Sequence, residues 1–80
     1  MDYNLNMDEF LEKLRFLIRL DAEEAGSVEA WCWEKDLPKS TISAFLTKNR
    51  LPSITTIFAI LNAVGARVEI DLSNSELKID

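Results

Sequence analysis

Residues 27–65 read SVEAWCWEKDLPKSTISAFLTKNRLPSITTIFAILNAVG, and this stretch decides the fold because its breaks fall at residues that start or stop helices. Ser27 can accept the free amides of a helix beginning at Val28. That helix runs through Trp31 and Cys32 over about 28–35 and stops near Asp36, because Leu37 and Pro38 follow and a proline is tolerated only in a helix's first turn. Pro38 therefore opens a new helix over about 39–46. There Ile42, Phe45 and Leu46 hold the apolar spacing, while Lys39, Ser40, Thr41, Ser43, Ala44 and Thr47 are free to face outward. A helix with so narrow an apolar stripe is held by its neighbours and offers its other face to water or to a ligand. Residues 48–52 form a loop by composition. Ser53 then caps a helix over about 54–64, with Ile54, Ile57, Phe58, Ile60, Leu61 and Val64 mostly inward, and Gly65 closes it.

Upstream, Phe10, Leu11, Leu14, Leu17 and Ile18 keep one helical face over about 8–20, with Asp8 as a candidate cap. Asp21 to Gly26 break that pattern. Downstream of Gly65 the period changes to two: Ala66, Val68, Ile70 and Leu72 alternate with Arg67, Glu69 and Asp71, as in a half-buried strand over about 67–72. Leu77 and Ile79 would give a return strand over about 75–79, so a lone strand and a hairpin both stay open. The 80 residues, 48% of them apolar, suffice for one mainly α domain spanning 1–80, with a thin core that a second copy would help to stabilise.

The formal charge is −5, unevenly spread. Residues 1–34 carry nine acids against three bases, whereas 35–52 carry Lys35, Lys39, Lys48 and Arg50 against Asp36 alone, and 53–80 carry two bases against four acids. Only the middle is basic, which is the balance phosphate binding needs. The chain has no histidine and one cysteine, Cys32, so neither a metal tetrahedron nor a nucleophile with its base can be assembled. No cofactor and no enzymatic activity are expected. The start of the chain shows no secretory leader and no run spans a bilayer, so a cytoplasmic location without membrane contact is expected.

Residues 27–65 resemble the lambda-repressor-like helix-turn-helix family of the Xre and Cro/C1 type. Ser27 matches the family's cap of helix 2, Trp31 and Cys32 its large-plus-small packing pair, and Leu37 its apolar turn residue. Ser40-Thr41-Ile42-Ser43 matches the core of its recognition helix, Pro52-Ser53-Ile54 the start of its fourth helix, and Ala63-Val64-Gly65 that helix's end. Three positions depart from the pattern: Asp36 stands for the turn glycine, Val28 for the polar residue that touches the DNA backbone, and Ala44 for a frequent Arg or Gln. The resemblance implies a fold of four helices followed by a strand. It also implies a transcriptional repressor acting as a homodimer on a palindromic double-stranded DNA operator. Small members with a trailing strand are similar to autoregulating antitoxins, whose partner is a toxin, or to phage and mobile-element repressors.

On that footing Lys39, Ser40, Ser43 and Ala44 are expected at base edges, where Ala44 could meet a thymine methyl. Ser27, Thr47, Lys48, Asn49 and Arg50 are expected at phosphates, although an N-cap serine is useful without DNA and loop cations are often simply solvated. Val68, Ile70 and Leu72 are expected to build a dimer sheet. Trp31 and Cys32 should be core, whereas Trp33 points away from that face and is a candidate partner contact. The competing function is a protein-interaction module of the same shape that binds no DNA, favoured by the net acidity, Val28 and Ala44.

Overall fold

The computed structural model describes residues 6–66 in full and the backbone of 68–71 and 76–79. Among these residues the chain is mainly helical, with four helices in order: α1 (Met7–Ala25), α2 (Val28–Lys35), α3 (Lys39–Lys48) and α4 (Ile54–Ala63). Two short strands follow, β1 (Val68–Asp71) and β2 (Glu76–Ile79). They pair antiparallel within the chain, with Val68 opposite Ile79 and Asp71 opposite Glu76. Arg67 and Leu72, at the ends of the expected strand, lie outside the described residues.

α1 is longer than its large apolar residues suggest. Its cap is Asn6, whose side chain accepts from the Glu9 amide, and Asp8 sits within the first turn. At the other end the helix does not break at Asp21. Residues 21–25 are mostly Ala and Glu, strong helix formers, and Ala22 continues the buried stripe of Phe10, Leu11, Leu14 and Ile18 at 3% exposure. The period persists although the side chain has shrunk. Gly26, at φ 103°, ends the helix by donating its amide to the Ala22 and Glu23 carbonyls.

Ser27 caps α2 by accepting from the Ala30 amide, and α2 packs against α1 and α3. Trp31 is 1% exposed, and its indole Nε1–H donates to Asp21 at 2.6 Å, tying α2 to the last turns of α1. Asp36 turns the chain with φ 56° and ψ 48°, and the Leu37 amide closes on the Cys32 carbonyl at 2.9 Å. After Pro38, α3 buries Ile42, Phe45 and Leu46, the stripe expected from the sequence, and runs two residues further than expected.

α4 departs most from its sequence reading. Ser53 caps it, and Ile60 and Leu61 are buried with Ile57 and Val64 half-buried. Ile54 and Phe58 are instead 66% and 56% exposed. Apolar residues occupy more of α4's circumference than the other helices can cover, and positions 54 and 58 form a second stripe beside the buried one. Among the described residues twelve make the core, all apolar and drawn from α1 to α4. Fully burying each large one is worth about 1.5–3 kcal/mol.

Candidate nucleic-acid interface

α3 presents its residues four apart. Ser40, Ala44 and Thr47 fall on the side opposite Ile42, Phe45 and Leu46, with Ser43 and Lys48 on its flanks and Lys39 at the helix's first position. Lys39, Ser40, Thr47 and Lys48 are exposed, Ser43 and Ala44 half-buried. The face is built of small, polar and basic side chains, dimensions that suit a helix entering a groove about 12 Å wide. Ile42 is fully buried, as its apolar spacing led us to expect, whereas Thr41 is half-buried and only partly free to face outward.

Three of the candidate side chains already have partners. Lys39 Nζ lies 3.0 Å from Glu29 Oε2 on α2. Both groups are well exposed, so the pair is worth at most about 1 kcal/mol and yields readily to a better acceptor. The Thr47 hydroxyl donates to the Ser43 carbonyl at 2.8 Å, so it must turn away before it can donate to a phosphate. Ser27 is better placed for a second bond. Its oxygen accepts from Ala30, which leaves its hydroxyl hydrogen available, and the first amides of α2 are unbonded within the helix and favour an anion there.

The loop after α3 is fixed by backbone. Asn49 adopts the left-handed region at φ 53°, which a short polar side chain tolerates, and the Arg50 amide donates to the Ala44 carbonyl at 3.2 Å. Lys48, Asn49 and Arg50 are all exposed just beyond the polar face of α3. Asn49 also lines a small cleft with Arg15, Leu11 and Leu51.

What the sequence reading missed is how α3 is held. Arg15 Nε donates to the Phe45 carbonyl at 3.0 Å, and Arg19 Nη2 donates to the Leu46 carbonyl at 2.9 Å. The Arg15 guanidinium also lies 4.6 Å from the centre of the Phe45 ring. Two cations of α1 thus occupy carbonyls near the C-terminal end of α3, where backbone acceptors lack helix partners and the dipole is negative. The only signal was their i, i+4 spacing on α1, which reads equally well as a solvated pair.

Cys32 is 2% exposed and unpaired. Burial pushes its thiol above the ordinary value, and Lys39 only partly offsets this, so the group behaves as a small core residue. Trp33, two residues beyond Trp31, is 88% exposed. Val68 and Ile70 lie on β1, but their side chains, like the whole of Leu72, fall outside the described residues. Among the described residues no helix is long and apolar enough to cross a membrane. No family model, curated protein or solved structure matches this chain, so the site is read from its own residues and geometry.

Proposed function

We propose that the chain is a sequence-specific DNA-binding regulator in which α2, the Asp36–Pro38 turn and α3 form a lambda-repressor-like helix-turn-helix, with β1 and β2 as its trailing hairpin. The observation that carries this reading is the solvent face of α3, where Lys39, Ser40, Ser43 and Ala44 form one small, polar and basic stripe beside the cations of the following loop. In this reading the stripe meets base edges, while Ser27, Lys48, Asn49 and Arg50 bracket it on phosphates, with Thr47 joining them once its hydroxyl turns. Two copies, joined through Val68, Ile70 and Leu72, would set their recognition helices about 34 Å apart on a palindrome, and binding its own operator would make the protein an autorepressor. An antitoxin with a toxin partner and a phage repressor are both regulators of this kind.

The test is binding to duplexes selected from a random pool. Lys39→Ala should shift base preference at one position by about 1–3 kcal/mol, while Arg50→Ala should weaken all sequences nearly uniformly. Unchanged affinity in both variants removes this docking geometry. A second reading, a protein-interaction module without DNA binding, is favoured by one observation: Glu29 already neutralises Lys39. Under that reading no selected duplex is retained at low salt.

A further inference from the structure

A groove of about 690 Å3 runs beside α2 and includes Ala30, Trp33 and Leu37 among its apolar walls, with the carboxylates of Glu29 and Glu34 and the ammonium of Lys39 along it. Its main feature is Trp33. The indole is 88% exposed and makes no hydrogen bond among the described residues, whereas Trp31 on the same helix is buried and bonded to Asp21. A solvent-facing helix position is served well by any polar helix former, so packing within this chain gives no reason for an indole there. Charge decides what would cover it. Duplex DNA laid across Trp33, beyond the Ser27 and Lys39 rim that the proposed docking gives it, would bring phosphates against Glu29 and Glu34. A second copy meeting this face about a two-fold axis would set the same carboxylates against their own images. A polypeptide segment bearing arginine or lysine has neither conflict: a cation over the indole face gains a cation–π contact. Glu34, which forms no ion pair among the described residues, can neutralise that cation. Glu29 adds a second acceptor once its exposed pair with Lys39 exchanges.

We propose that this groove is a docking site for a basic polypeptide segment, with an arginine or lysine side chain laid on Trp33 and paired with Glu34 and Glu29. The groove shares Ser27 and Lys39 with the candidate DNA face, but its occupancy is tested without DNA. Calorimetry on the full chain tests it with two synthetic peptides, one alternating arginine and leucine and its counterpart with glutamate for arginine. The arginine peptide should bind saturably, and the glutamate peptide should not. Trp33→Ala should weaken binding about tenfold, the scale of one strong contact, with an unchanged melting curve because the side chain is exposed. Glu29→Gln with Glu34→Gln should weaken it similarly and flatten its dependence on salt. Absence of binding to the native chain, equal affinity for Trp33→Ala, or equal affinity for the glutamate peptide would each overturn the site. Should Trp33→Ala fold poorly, Glu34→Lys, at an exposed position, carries the same test by charge reversal.

Discussion

Asp36 joins α2 to α3 in a backbone region where a side chain is a burden. At φ 56° and ψ 48° it occupies the left-handed well, which costs an ordinary L-residue roughly 1–2 kcal/mol and a short polar one less. Its side chain is exposed and makes no hydrogen bond among the described residues, so nothing local compensates. Glycine would remove the strain but carries more unfolded-state freedom, a cost of roughly 0.5–1 kcal/mol. The two effects nearly balance, with strain the larger. Asp36→Gly should therefore raise stability by up to about 1 kcal/mol, some 4–8 °C in a domain of this size, and Asp36→Val should lower it. Thermal melts followed by circular dichroism decide the matter. A lower melting temperature for the glycine variant would mean that the aspartate holds the turn through a contact of its own.

The orientation of α3 rests on a bond between elements that neither helix's sequence shows alone. Arg15 is largely enclosed, with its side chain 12% exposed, and combines a charged hydrogen bond to the Phe45 carbonyl with a stacked ring. A hydrogen bond to a charged group is worth about 1.5–3 kcal/mol, and the ring contact adds to it. Arg15→Ala should accordingly cost about 2–3 kcal/mol, and the more exposed Arg19→Ala about 1 kcal/mol. Native-state hydrogen exchange gives the distinguishing readout: amides of the last turn of α3 should lose protection beyond the global loss. Uniform loss along the chain would show that the arginines stabilise the fold without fixing α3. Helix positions from α2 to α4 were legible because Ser27, Pro38, Ser53 and Gly65 punctuate the chain, and so were the buried stripe of α3 and the core placement of Trp31 and Cys32. The end of α1 was not, since Ala22 packs as well as a leucine where the helices approach closely but carries little weight in a hydrophobic pattern. Nor were the exposed Ile54 and Phe58, because periodicity says that a residue is apolar on a helix without saying how much of that helix its neighbours can cover. The candidate contact face was legible residue by residue, but its bonds were not. The Glu29–Lys39 pair joins positions ten apart across the turn, and no local pattern announces it.

At the scale of the whole molecule, core and surface are out of proportion among the described residues. Among the described residues twelve buried apolar side chains support the fold, while Met7, Phe16, Leu20, Trp33, Leu51, Ile54 and Phe58 stand at least half exposed. Residues 51–66 contain no Asp, Glu, Lys or Arg, so the exposed Leu51, Ile54 and Phe58 lie in a stretch with no charge of its own to hold water. Apolar surface left in water forfeits about 25 cal/mol for each Å2 that association could cover, and a small core leaves little stability in reserve. A homodimer that covered Leu51, Ile54 and Phe58 in addition to the strand residues proposed above would recover part of that loss, and its cost is the entropy of association, which falls as concentration rises. The melting temperature should therefore climb with protein concentration across the micromolar range, and light scattering over the same range should pass from the mass of one chain toward that of two. Arg50→Ala, which removes a cation from the contact face, should leave both curves where they are, separating assembly from DNA affinity. A melting temperature independent of concentration, together with a one-chain mass at every concentration, would mean that these side chains stay in water and that any operator is read by single copies, without the palindromic spacing.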